Sequence, residues 1–484
     1  MSVVAIDQGT TSTRAVVLDE AGARLAASVT HRQIYPQAGW VEHDPGELLA
    51  AIQTCLDAAA DTGVEAVGLD NQGESCLAWD AETKEPVSPV IVWQDDRTAG
   101  VCAALEAAGC AALVRERAGL PLDPYFSASK LGWLVREVPQ VRRLADRGRL
   151  RLGTTDAFFR DRLTGRFETD PSTASRTALM ALGRCQWDAE LCALFGVPME
   201  ALPAIVPTVG ALGHVACGGR AVPLTASVVD QQAALYGHGC RQAGDAKMTF
   251  GTGAFALAVA GEAVPPADTG ALPTVAWQFD GAAPVYALDG GVYCAAAAVN
   301  WARSLGLFAS FEEIGAFDAA PAIGRGLAFV PALSGLACPH WDRGARGTWM
   351  GLGLDTGPRD MVQAVLEGVA LRMAEVAAAI GSATPLSGPI PIDGGMTANP
   401  YFCQFLADVL ELPVAVASVA DVTALGCAAM AAEGAGRGAL GAAPTARRII
   451  EPRPMKTDAR KMFAAAREAA QHFAAQDAPH GGLG

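Results

Sequence analysis

A glycine set among hydroxyls and a carboxylate can grip a phosphate, and such a cluster lies at the very start of this chain. Asp7-Gln8-Gly9-Thr10-Thr11-Ser12 puts one carboxylate, one glycine and three hydroxyls within six residues. Glycine lets backbone N–H groups approach a phosphate closely, and the hydroxyls add donors. Asp7 has the chemistry to hold magnesium through water. Phe250-Gly251-Thr252-Gly253 is a second candidate phosphate loop. Asp393-Gly394-Gly395-Met396-Thr397-Ala398-Asn399 could carry a nucleotide at a helix start, where N–H groups and the dipole favour anions. Asp230 follows the apolar run Ala226 to Val229, and a carboxylate at a strand end can serve as a general base. Trp93 and Tyr125 are aromatics near polar residues. Each of these has a plainer alternative: a polar hairpin turn, a β-turn, a strand–helix connector, a helix cap, a core aromatic. Together they supply the needs of phosphoryl transfer: donors around phosphates, a carboxylate for a cation, a base near the acceptor, and closure against water.

The elements that must hold these residues alternate between strand and helix. Val3 to Ile6 and Ala15 to Leu18 are short β-rich runs on either side of the Asp7 turn, so they predict a β-hairpin. Asp44-Pro45-Gly46-Glu47 predicts a helix start, with Asp44 as cap, Pro45 at the first position and Glu47 closing a capping box. That helix is expected to run through Leu48 to Ala60, followed by a strand at Ala66 to Leu69 that delivers Asp70 to Glu74. Lys247 to Phe250, the Gly251-Thr252-Gly253 turn and Ala254 to Ala260 repeat the opening pattern of strand, Gly-Thr turn, strand. The repeat predicts two α/β domains, 1–240 and 241–484, with a ligand crevice between them. Met361 to Ile380 carries an apolar stripe at helical spacing, Ile390 to Asp393 is a strand, and Thr457 to Gln476 an amphipathic helix. The last residues, 477–484, are expected to fray.

Composition limits the partners. Of 484 residues, 51% are hydrophobic and 18% charged, which suits large buried cores and excludes wholesale disorder. A formal net charge of -15 repels nucleic acid and anionic membranes. The N-terminus has neither the basic flank nor the apolar core of a signal peptide, and runs such as Ala424 to Ala432 are too short to span a bilayer. The 12 cysteines form no Cys-x-x-Cys pair and no zinc spacing, so reduced thiols in a cytoplasmic protein are expected.

Taken together, these residues resemble the FGGY carbohydrate kinase family, and within it the glycerol kinases, from about residue 3 to residue 435. Tyr125-Phe126-Ser127-Ala128-Ser129-Lys130-Leu131-Gly132-Trp133-Leu134-Val135-Arg136-Glu137 and the stretch from Gly347-Thr348-Trp349-Met350-Gly351-Leu352 to Ala364-Val365-Leu366-Glu367 fit family patterns. Ile34 to Pro45, Ile91 to Thr98, Asp123 to Ser127 and Asp230 to Leu235 look like glycerol kinase segments. The resemblance implies two actin-like (ribonuclease H-like) α/β domains that close over their substrates. It implies ATP as phosphoryl donor, Mg2+ beside Asp7, and a small polyol or sugar as acceptor, most closely glycerol. Asp230 would accept the proton of the attacking hydroxyl. Glu74, Trp93, Tyr125, Gln231 and Phe255 would line the polyol site. Thr10, Thr11, Ser12 and Arg14 would face the donor phosphates, Gly251 and Thr252 would make the second phosphate contact, and Gly395 and Asn399 would hold the adenosine. A homo-oligomer, dimer or tetramer, is expected.

The chain departs from the family pattern at three places. Glycerol kinases have Asn-Gln-Arg-Glu where Asn71-Gln72-Gly73-Glu74 stands, so a glycerol-binding arginine is replaced by Gly73. Losing a charge-assisted hydrogen bond of about 1.5–3 kcal/mol weakens binding by about ten- to a hundredfold, or the vacated space takes a longer polyol or ketose such as erythritol, ribitol or xylulose. Ala296 and Asn300 stand where the family has Gly and Gln near the adenine. The segment Gly210 to Ala221 is shorter than the glycine-rich loop that binds a sugar bisphosphate in some glycerol kinases, which predicts weak or absent inhibition by fructose 1,6-bisphosphate. Actin-like proteins that use ATP as a conformational switch are a competing class, and the acceptor-side residues Asp230, Glu74, Trp93 and Tyr125 argue against it.

Overall fold

The computed structural model describes residues 2–60, 63–418, 421–438 and 446–476; the tail expected to fray, 477–484, lies outside them. The opening hairpin forms, with β1 (Ser2–Gln8) and β2 (Ser12–Asp19) joined antiparallel, and β3 (Gly22–Thr30) continues the meander. Helix α1 (Pro45–Ala58) leads to β4 (Val64–Asn71), which lies parallel to β1. Helix α2 (Ser127–Glu137) belongs to a subdomain built on the short strands Glu42–His43, Cys76–Asp80, Val90–Ile91 and Leu150–Thr154. The hairpin β5 (His214–Cys217) and β6 (Arg220–Val229) completes the first sheet, and α3 (Asp230–Gly237) leaves its end.

The second sheet contains β7 (Ala246–Phe250), β8 (Ala254–Gly261), β9 (Leu272–Trp277) and β10 (Val285–Val292). After α4 (Ala296–Ser304) and α5 (Pro358–Ala383) come β11 (Ile390–Asp393), α6 (Pro400–Leu410), β12 (Val414–Ala417), α7 (Val422–Gly434), β13 (Ala446–Ile450) and α8 (Ala459–Gln476). The strand orders are β5-β6-β4-β1-β2-β3 and β9-β10-β8-β7-β11-β12-β13. Within each lies the same five-strand unit: three antiparallel strands, then two parallel to the first. The repeat that is faint in sequence is complete in topology.

Alternation along the central strands divides the cores. Val4 and Ile6 face α1 residues Leu48, Ile52 and Cys55, whereas Val3 and Ala5 face Ala424, Cys427 and Ala428 of α7. In the second sheet Ala246, Met248 and Phe250 pack with Val365, Val369 and Met373 of α5. The third core joins the halves: Val3, Ala5 and Val228 from one sheet, Leu257 and Val259 from the other, with α3 and α7 between them. Those two helices meet backbone to backbone. A Cβ added at Gly426 would lie 1.8 Å from the Ala233 carbonyl oxygen, so only glycine fits there.

Two local expectations differ from the structure. The Asp44 side chain caps α1, accepting from the N–H groups of Gly46 and Glu47. Glu47 does not close the capping box; its carboxylate takes the Arg32 N–H at 3.1 Å and faces the Arg32 guanidinium. A cation competes better for a carboxylate than a backbone amide does. The helix also ends at Ala58, two residues short of Ala60.

Among the described residues no helix is long and apolar enough to cross a membrane. All 12 cysteines are free thiols.

Candidate active site

Strand β4 runs out at Asn71, and the chain turns through Gln72 and Gly73 to Glu74, which sits at φ +60°. A side chain in the left-handed region costs about 1 kcal/mol or more, so the turn is held there by its surroundings. The Glu74 carboxylate accepts from Arg176 Nε at 2.6 Å. Arg176 follows the helical turn Pro171–Ala174 and also reaches Asp289 of β10, 3.0 Å away, so one guanidinium bridges both halves. Its side chain is only 4% exposed. Burial pulls its pKa down, but Glu74 and Asp289 outweigh this and hold it protonated. Burial pushes the Glu74 carboxyl up, with Arg176 pulling against it.

Aromatic groups complete this end. The Arg176 guanidinium lies 5.8 Å from the Tyr125 ring centroid, and Tyr125 meets Trp93 edge to face at 5.7 Å. Lys130 of α2 is fully buried and donates to the carbonyl oxygens of Tyr125 at 2.9 Å and Trp93 at 3.4 Å, fixing the backbone of both. Trp93 Nε1 donates to Thr10 Oγ1 at 3.1 Å, which ties the aromatic wall to the first phosphate turn. Phe255 of β8 pairs with Thr249 on one side and Gly291 on the other, two positions before Leu257 on the same strand face.

Asp230 opens α3 but does not cap it: Val229 holds the cap position, and Asp230 Oδ1 accepts from the Gln231 N–H at 2.7 Å. Burial in the cleft, then Glu74 and Asp7, push the Asp230 carboxyl up to about 7, against the Gln231 N–H and Lys247. A carboxylate with a pKa near the working pH is tuned for proton abstraction. Asp230 therefore feels the charges of both Glu74 and Asp7.

At the other end Asp7 lies between two strand neighbours, Arg14 across the hairpin and Asp70 on β4. Arg14 donates to Asp7 at 2.8 Å and pairs with Asp421 beside α7 at 2.5 Å. Asp70 is fully buried, and neither of its oxygens meets an amide, hydroxyl or cationic donor. Burial and the Asp7 charge push its carboxyl well up. Two adjoining carboxyls, one held by Arg14 and the other with no such donor, fit a hard divalent cation that keeps most of its ligands as water and phosphate oxygens. Among the described residues there is no group of three or more acidic, His or Cys ligands, so the protein supplies only part of such a shell.

The second candidate phosphate loop rests on the start of α4: the Gly251 and Thr252 carbonyls accept from the Ala296 and Ala295 N–H groups at 3.0 and 2.9 Å. Asn300 is exposed one turn further along α4. Gly394 has φ +92°, and a Cβ there would lie 2.3 Å from the Phe250 carbonyl, so the two glycine turns pack against each other. Gly395 begins a short 3-10 turn and faces open space. Asn399 caps α6, accepting from Phe402 N–H and donating to the Ile314 carbonyl, both at 2.9 Å. Thr11 and Thr252 are exposed, and Ser12 partly so.

Val229 and Arg176 stand beside Gly73. A Cβ there would meet Val229 Cγ1 at 3.3 Å and the Arg176 stem at 3.9 Å. The Arg176 stem thus passes beside the residue 73 backbone, and its guanidinium bonds the adjoining Glu74. Nothing in the spacing around Arg176 marks it, because its partners Glu74 and Asp289 are about a hundred residues away on either side. Lys247 carries a faint signal, a lone cation in a strand whose neighbours Ala246 and Met248 are core residues.

The family model described as the N-terminal domain of FGGY carbohydrate kinases matches residues 2–237, and that of the C-terminal domain matches 246–435. The chain belongs to the FGGY family of carbohydrate kinases. Its fold is the two-domain fold of that family, consistent with duplicated actin-like halves. The glycerol kinase of Symbiobacterium thermophilum is 42% identical over 443 residues, which cover 89% of each chain. That of Thermus brockianus is 43% identical over 455 residues, 91% of this chain and 92% of the other. The structure of Plasmodium falciparum glycerol kinase with ADP superposes with a TM-score of 0.88 at 28% identity, covering 97% of this chain and 98% of that one. The family is one of kinases, so the enzyme is a phosphotransferase with an alcohol group as acceptor and ATP as donor.

Proposed function

We propose that this enzyme phosphorylates glycerol, converting it with ATP to sn-glycerol 3-phosphate and ADP. The observation that carries the reading is the ring of Glu74, Arg176, Tyr125 and Asp230. It offers carboxylates to accept O–H groups, a guanidinium to donate to a hydroxyl oxygen, and rings to flank the carbons. The relatives named above, glycerol kinases at 42% and 43% identity, support glycerol over longer polyols.

Asp230 takes the proton of the terminal hydroxyl as its oxygen bonds to the γ-phosphorus, and the bond to the β-phosphate oxygen breaks to release ADP. Glu74 and Arg176 orient the remaining hydroxyls, with Trp93, Tyr125 and Phe255 against the carbons and Gln231 beside the reacting oxygen. Thr10, Thr11 and Ser12 face the phosphates from one turn, Gly251 and Thr252 from the other. Gly395, Ala296 and Asn300 border the adenosine, with Asn399 behind them. Arg14 works through Asp7. Asp7 and Asp70 would hold Mg2+ through water, and the ion would neutralise phosphate charge. The halves, dividing near residue 240, close to exclude water as a competing acceptor.

A polyol panel with coupled ADP detection tests this. Glycerol is expected to give the highest kcat/KM; turnover of erythritol, ribitol or xylulose without turnover of glycerol would reject it. ATP hydrolysis that needs no polyol and survives Asp230→Asn would place the protein among the ATP-driven switches instead.

A further inference from the structure

Strand β7 carries one charged residue, Lys247, and the alternation of the strand decides where it points. Ala246, Met248 and Phe250 face the C-terminal core, so Lys247 and Thr249 face the opposite way, towards α3. Lys247 is completely buried. Its ammonium donates to the Gln231 side-chain oxygen and, at 3.0 Å, to Thr249 Oγ1. The acidic groups around it are Asp393, Asp230 and Asp289. Asp393 in turn is bonded to His238 Nε2 at 2.6 Å. A buried lysine is costly unless its donors are used, and here they reach residues from both ends of the cleft.

An ammonium only donates, so it must take the carboxamide oxygen of Gln231 and never the NH2 group. That fixes the amide orientation by chemistry. The NH2 group, among the described residues, donates to no protein atom. Gln231 follows Asp230 directly, so one residue accepts a proton and the next offers N–H donors at the same place.

Given the reading above, we propose that Lys247 is a positioning residue for the acceptor. It turns Gln231 so that its two N–H donors face the alcohol oxygen whose proton Asp230 receives. The acceptor is then held through a lone pair while its O–H points to the base, an arrangement only a neutral hydroxyl satisfies.

Lys247→Met keeps the aliphatic stem and removes the donors. It is expected to raise the glycerol KM about fivefold or more, the size of a lost hydrogen bond, with a much smaller change in the ATP KM. Gln231→Ala should do the same, and the double variant should be no worse than Gln231→Ala alone. Gln231→Glu is the second arm: it still accepts from Lys247 but has no N–H to offer, so its glycerol KM should rise like that of Gln231→Ala while its thermal midpoint holds. An unchanged glycerol KM in Lys247→Met, independent multiplication of the two effects, or a wild-type KM in Gln231→Glu each overturn the proposal. If Lys247→Met does not fold, Gln231→Glu decides alone. If wild-type enzyme turns over another polyol and not glycerol, the glycerol reading fails and the same cycle is read on that polyol. If no polyol is turned over, both fail.

Discussion

The two ends of the cleft are built from different materials. At the acceptor end, charged and aromatic side chains are locked in place: Glu74 on Arg176, Arg176 on Asp289, and Lys130 behind Tyr125 and Trp93. At the proposed donor end stand glycine turns and hydroxyls, many of them solvent-exposed. A triol has three similar hydroxyls and must be told from its relatives, which takes side chains in fixed positions. Phosphates are alike in every nucleotide, and main-chain donors suffice for them.

The comparison breaks first at Asp230. Asp230→Asn is expected to lower kcat by about 10²- to 10⁴-fold, the usual worth of a general base, with little change in the ATP KM. In the wild type, kcat/KM should fall as pH drops below about 7, because Asp230 gains a proton there. The same shift affects stability. The unfolded carboxyl releases its proton near pH 4, the folded one near 7, so the folded state loses stability as pH rises through that window. Asn removes this loss, so the inactive variant should melt at a higher temperature than wild type at pH 8.

Arg176→Met should be the most destabilising change at the acceptor end. It leaves Glu74 and Asp289 buried without their cation, a loss of about 3–5 kcal/mol measured by denaturant unfolding. Arg176→Lys keeps the charge but not the fork, and should fall between the two.

The donor end should behave in the opposite way. A Cβ at Gly395 meets nothing within 4 Å, so Gly395→Ala should leave the fold intact and report only on the ligand. If nucleotide lies there, the added methyl should crowd it at a cost of about 1–3 kcal/mol, and the ATP KM should rise by about ten- to a hundredfold. The neighbouring Gly394→Ala should instead lower stability, since φ +92° and the Phe250 carbonyl leave no room. The smallest effect is expected from fructose 1,6-bisphosphate. The turn between β5 and β6 is only Gly218 and Gly219, too small for an anion loop, and activity should not respond in a coupled assay.

This contrast also explains what could be read from the sequence. The donor end is local: Asp7 to Ser12, Phe250 to Gly253 and Asp393 to Asn399 are contiguous, so the turns and the strands beside them were legible. Asp230, Trp93 and Tyr125 stood out by residue type and setting, and the role of Glu74 through the resemblance. Arg176, Lys247, Asp289 and Asp70 did not, because each acts on residues remote in the chain. Gly73 read as a missing cation, and nothing near it in the chain announced that Arg176, about a hundred residues later, bonds the adjoining Glu74. Glu47 failed as a capping residue for the same reason, a distant competitor, Arg32. The run Ala424 to Ala432 gave no hint of its place, since apolarity on all sides says that a helix is buried but not between which partners.

Helix α7 comes from late in the chain yet roofs the first sheet, touching Val3, Ala5 and Ala66. A fragment stopping near residue 240 would therefore be born with an oily flank bare to water, and ought to precipitate or seek a chaperone. Supplying residues 241–484 as a separate polypeptide should rescue it, since the missing roof travels with them. During synthesis on the ribosome the first half would wait, unfinished, for the second.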